Sequence, residues 1–142
     1  MAANPEFFTT PTLQASVISA TAYGGTRTSP TGLTTIYTGS TTTTIHHQIR
    51  KIDVKTLLTS AAALLDFWLY DGTTYYMLPL SQAVTAITGG TGTDPWATSI
   101  TFPEGNGGLI LPGRASTAWT LAAGFSVTQT TAAACVVQGA SS

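Results

Sequence analysis

His46 and His47 are the first residues that an ion or a proton-transfer reaction would use. Neighbours on a strand point to opposite faces, so one chain aims the two imidazoles apart. A shared metal would then need a two-fold or three-fold axis that gathers like histidines from several copies. The acidic residues Glu6, Asp53, Asp66, Asp71, Asp94 and Glu104 are scattered along the chain. Only folding could bring two of them into the pair that glycoside hydrolysis needs. Asp71 and Asp94 sit in turn contexts, Asp53 is flanked by cations, and Glu104 leads into Gly105-Asn106-Gly107-Gly108. Asp66 lies inside an apolar run and must find a hydrogen-bond partner or face solvent. The chain has no Gly-x-Ser-x-Gly elbow, no His-Glu-x-x-His motif and no phosphate loop ending in Gly-Lys-Ser/Thr. Cys135 stands alone in an Ala-Cys-Val-Val setting, which suits a buried thiol and excludes an intrachain disulfide. The expectation is a protein with no catalytic residue, no metal ligand and no cofactor.

Aromatic residues offer binding instead of catalysis. Trp68, Tyr70, Tyr75, Tyr76, Trp96 and Trp119 could form a stacking platform for sugars, although most read more simply as core. Trp96 follows the loop Gly89 to Pro95 and is expected to be exposed, marking a ligand site or, preferably, a subunit contact. Phe7 and Phe8 lie between Pro5 and Pro11 in a stretch without helical or two-residue period, read as an extended N-terminal arm over residues 1–12. Two exposed phenylalanines are costly in water, so they should dock on this domain or on a neighbour. Phe7, Phe8 and Trp96 are therefore the expected interface residues.

The elements that would position these groups are β-strands. At 142 residues the chain fits one domain, residues 13–142, with 43% hydrophobic residues to fill a core. Charged residues make up only 8%, against about 25% in ordinary soluble domains. The 29 threonines and 11 serines must cover much of the surface, and threonine favours strands. A net charge of -1, with only Arg27, Arg50, Lys51, Lys55 and Arg114 as cations, gives no field for a phosphate backbone, which argues against a nucleic-acid partner. So weak a charge also protects poorly against self-association. The N-terminus lacks a secretion signal, and the apolar run Ala61 to Tyr70 is broken by Asp66 and too short for a membrane helix. The chain reads as a soluble cytoplasmic product with no membrane partner.

Short strand signals recur between Gly, Pro, Asn and Asp. Leu13, Ala15 and Val17 alternate in a first strand. Ile45, His47 and Ile49 switch parity to Ile52 and Val54, which suggests a bulge near Arg50-Lys51. Leu64 to Tyr70 reads as a central strand, and Asp71-Gly72 as a hairpin turn leading to a return strand from Thr73. Further signals over 98–103, 109–112, 118–122, 125–130 and 134–138 bring the total to about eight to ten strands. Only Ser60 to Ala63 would suit a helical turn. The fold class is all-β, a single jelly-roll-like antiparallel sandwich.

Five pieces in order, Thr35-Ile36-Tyr37-Thr38, Ile49 to Val54, Phe67 to Tyr75, Ile100 to Pro103 and Gly108 to Gly113, resemble small virion structural proteins of tailed phages and prophages. Arg114 to Gly124 departs from the short strand expected directly after the Leu-Pro-Gly turn. The resemblance implies a β-sandwich that decorates or cements a capsid, bound to itself as a homo-oligomer such as a trimer and to the major capsid protein or another virion protein. The alternative it leaves open is a tail or fibre-associated module that binds host-surface glycans.

Overall fold

A computed structural model describes residues 8–90, 92–102 and 108–142. All regular structure among them is β, in twelve strands: β1 (Thr10–Ile18), β2 (Gly24–Gly25), β3 (Pro30–Thr31), β4 (Thr34–Thr38), β5 (His47–Thr56), β6 (Ala63–Tyr70), β7 (Tyr75–Met77), β8 (Gln82–Val84), β9 (Ala97–Thr101), β10 (Leu109–Leu111), β11 (Thr120–Phe125) and β12 (Ala133–Ser141). One five-stranded sheet runs β1-β12-β5-β10 with β9 also on β5, and the other runs β4-β11-β6-β7 with β8 also on β6. Every pairing is antiparallel. The two sheets face each other as a β-sandwich. Thr10 to Thr12, read from the sequence as part of an arm, belong to β1 and pair with Ser141 to Gly139.

The core follows from alternation on the inner faces. Ile18 on β1, Ala133, Cys135 and Val137 on β12, and Ile49, Ile52 and Val54 on β5 meet Leu65 and Phe67 on β6 and Leu121, Ala123 and Phe125 on β11. Each fully buried large side chain contributes roughly 1.5–3 kcal/mol. The expected bulge is present: Gln138 pairs with Lys51 and Gly139 with Ile49, leaving Arg50 as the extra residue. A side chain at Gly139 would collide with the backbone oxygen of Gln48, so glycine lets β12 approach β5 there.

The Asp71 hairpin also forms, with Tyr70 opposite Tyr75. Only Gly72 takes a positive φ, of 94°. Asp71 Oδ1 instead accepts from the backbone N–H groups of Thr73 and Thr74 at 2.8 and 2.7 Å, so an aspartate side chain closes a four-residue connection. Those two bonds hold the Asp71 carboxyl below the usual carboxylate range. The helical turn expected over Ser60 to Ala63 is absent; Ser60 forms a bridge with Ile87 instead.

Hydroxyls replace charge as loop fasteners. Thr34 Oγ1 accepts from Ser19 N, Thr128 Oγ1 from Ala22 N, Thr131 Oγ1 from Leu58 N, and Ser126 Oγ from Leu64 N. Each ties a backbone donor that no strand partner reaches.

Candidate functional site

Three polar clusters occupy the places where chemistry was sought. His46 Nδ1 accepts from Gly113 N at 2.8 Å, while His47 Nδ1 lies 2.7 Å from the Tyr37 hydroxyl, which in turn is 2.7 Å from Thr12 Oγ1. The two rings serve different partners, His47 from the first residue of β5 and His46 from the residue before it. Burial lowers the His47 pKa and raises that of Tyr37. The chain Thr12–Tyr37–His47 links β1, β4 and β5 and so ties the two sheets together.

Asp66 is fully buried on the outer face of β6. The Tyr23 hydroxyl donates to its Oδ2 at 2.8 Å and the Ser81 hydroxyl to its Oδ1. Tyr23 belongs to a flap, residues 19–33, that folds over this face. Its ring meets Trp68 edge-on at 4.9 Å, and Trp68 Nε1 donates to Arg27 O at 2.8 Å. The third cluster is Asp53, which lies 3.6 Å from Lys51 Nζ and accepts from Ser99 Oγ at 2.7 Å. No group of three or more His, Cys, Asp or Glu side chains among the described residues is arranged to hold a metal. Cys135 is buried, and burial pushes its thiol up to about 11.

The aromatics divide. Trp68 and Trp96 are buried, and the expectation that Trp96 stands exposed in its loop is corrected. Trp96 packs into the core, and its carbonyl accepts from both the amide and the hydroxyl of Thr56 at 2.9 and 3.2 Å, which holds the loop down. The partly exposed rings collect around the β6–β7 hairpin. Tyr70 and Tyr75 stack at 4.2 Å with their planes 21° apart. Tyr76 leans on Trp119 at 6.1 Å, and the Arg114 guanidinium lies 5.8 Å from the Trp119 ring. Phe8 is half-buried, and its carbonyl accepts from Arg50 Nη2 at 3.1 Å. Phe7 lies outside the described residues.

The feature that sequence reading missed is the outer face of the β1-β12-β5-β9 sheet. The alternation of Leu13, Ala15 and Val17 finds the strand, but Gln14, Ser16 and Ile18 point inward and the apolar set points out. Leu13 is 68% exposed and Val17 58%. Val136 and Ala134 on β12 stand beside Ala15 and Val17 by register, and Ala97 on β9 stands beside Lys55. Leu57, 54% exposed, continues the outward parity of Lys51, Asp53 and Lys55. The middle of this face sinks into a trough of about 420 Å³ lined by Asp53, Lys55, Ala97, Ser99, Ala134 and Val136. A second depression of about 350 Å³, at Leu13, Arg50 and Gln138, lies on the same sheet toward the start of β1. Leu13, Val17 and Leu57 are thus exposed apolar side chains on a face whose charged groups are Lys51, Asp53 and Lys55 of β5. The signal that could have located it is the lack of any charge in Thr10 to Ile18 and Ala133 to Ser141, since a solvent face would carry some.

Comparisons with protein-family models, with curated proteins and with solved structures give no match for this chain.

Proposed function

We propose that this chain is a non-enzymatic structural protein of a tailed-phage virion, a capsid decoration or cement subunit that works through contacts with its own copies and with the major capsid protein. The observation that carries the reading is the outward-facing apolar set Leu13, Ala15, Val17, Val136 and Leu57, a surface made for packing. The strand order supports a jelly-roll description. Taken in sequence, β1, β4, β5 and β6 alternate between the two sheets, β7 and β8 stay beside β6, and β9 with β10, β11 and β12 alternate again, the pattern of two nested Greek keys. A subunit that binds only the assembled shell stabilises it by mass action, and repeated copies multiply the effect.

Immunogold labelling of intact particles tests the reading. Gold over the head supports decoration. Particles that contain no copy of the chain by mass spectrometry would refute it.

A second reading, a tail or fibre-associated glycan-binding module, is favoured by one observation: the hairpin cluster Tyr70, Tyr75, Tyr76 and Trp119, with Arg114 beside it. Flat rings suit the C–H faces of sugars, and the guanidinium supplies donors for hydroxyls. Gold confined to the tail, together with glycan-array binding that Tyr76→Ala abolishes, would favour it over decoration.

A further inference from the structure

We propose that β1 pairs antiparallel with β1 of a second copy across a two-fold axis, joining two five-stranded sheets into one continuous sheet. The inference deepens the self-association in the reading above and rests on that part alone, not on the place of the protein in a particle.

β1 is an edge strand of nine residues whose only strand partner is β12. Among the described residues, no group bonds the outward side of its backbone between Thr10 and Ile18. Proteins usually blunt such an edge with lysines, a bulge or an inward charge. β1 carries no charged residue, and its register with β12 runs without a shift from Thr10–Ser141 to Ile18–Ala133. Among the described residues only Pro11, near its start, offers any protection. The other edges are short or closed. β4 is capped by Gln14, whose side chain donates to Thr38 O at 2.9 Å and accepts from Thr38 N at 2.8 Å. β7, β8 and β10 have three residues each and β9 has five. The match of equal length for β1 is another β1, which gives a closed isologous pair and not an open filament.

The side chains agree with that pairing. A two-fold register about Ala15 sets Leu13 of one copy opposite Val17 of the other and merges two apolar rows. Pro11 then falls beyond the paired stretch Thr12 to Ile18, so its missing N–H loses no ladder bond.

Size sets the strength. At about 3.3 Å per residue the seven paired residues span about 23 Å, and a contact about 10 Å deep covers on the order of 230 Å² per copy. That is well under the roughly 800 Å² per partner of a stable interface, so dissociation is expected in the micromolar range or weaker.

Sedimentation velocity of the full chain from about 5 to about 200 micromolar should show a concentration-dependent monomer–dimer equilibrium. Leu13→Lys with Val17→Lys should weaken association about a hundredfold or more while the circular dichroism spectrum and melting temperature stay unchanged, because both side chains are exposed. Ala15→Cys places a thiol on the axis, opposite its own copy at about 4.5–5.5 Å between Cβ atoms, and should give a disulfide-linked dimer on mild oxidation. Thr101→Cys on β9 should not, and the buried Cys135 thiol supplies little background. A chain that remains monomeric throughout, or a dimer that the lysine variants do not weaken and Ala15→Cys does not trap, would overturn the inference. Either result leaves the immunogold test of location standing by itself.

Discussion

Replacing Tyr23 by Phe removes the hydroxyl that donates to Asp66 and meets the Arg27 side chain, and leaves the packing of the ring on Trp68 intact. The acceptor it abandons is the fully buried Asp66 carboxyl group, which keeps the Ser81 hydroxyl. Leaving a buried acceptor short of a partner costs roughly 1–3 kcal/mol, so about 2 kcal/mol should be lost. For 142 residues the unfolding entropy is about 0.3 kcal/mol/K, and the melting temperature should fall by about 7 °C. The flap that carries Tyr23 also carries the exposed Arg27, a trypsin site. If the flap opens as a local unit, the same 2 kcal/mol raises its open population about thirtyfold, and cleavage after Arg27 should accelerate by that factor. Scanning calorimetry reads the first effect and timed proteolysis the second. A Tyr23→Phe protein that melts and is cleaved like the parent would refute the idea that this bond holds the flap on the sheet.

Further outcomes follow from single sites. Burial lowers the His47 pKa in the folded state below its value of 6.5 in the unfolded chain, so the folded state binds fewer protons. Stability should therefore be full above pH 6.5 and decline as pH falls from there through the folded pKa, and His47→Gln should flatten that limb of a denaturation-versus-pH series. Gly113→Ala would push a Cβ against the backbone oxygens of Thr42 and Ile45, and a loss of about 3 kcal/mol or failure to express in soluble form is expected. Cys135 should resist a thiol-reactive dye in the native protein and react fully in denaturant, since burial keeps the thiol protonated.

The fold was legible where local chemistry dictates it. The Asp71-Gly72 hairpin, the bulge at Arg50 and the central strand through Phe67 and Trp68 follow from turn residues, a parity switch and a continuous apolar run. What was not legible is which side of a strand meets the core. A two-residue period fixes that Leu13, Ala15 and Val17 share a face, but its phase is decided by Ile18 pairing with Ala133 and by Gln14 reaching across to Thr38, contacts with residues more than 20 positions away. Trp96 misled for a similar reason: the loop before it reads as exposed, yet Thr56, 40 residues earlier, draws its carbonyl inward. Trp68 read as core and is buried, but on the outer face, under a flap whose glycines and Pro30 read only as loop.

The two outer faces of the sandwich are treated unequally, and the difference bears on function. On the β6 sheet, the chain folds its own flap over Trp68, Asp66 and Gly124, with Tyr23 and Leu33 in contact, so that apolar and polar groups alike are shielded. On the β1 sheet no described segment crosses the outer face, although Leu13, Val17 and Leu57 are exposed there. Residues 19–33 cover one such face while no described segment covers the other, which suits the proposed cover by another copy. The open face adjoins the unprotected β1 edge, and the covered face does not. Apolar exposure and, among the described residues, unmet backbone bonding thus fall on one strand, where the proposed contact with another copy would satisfy both.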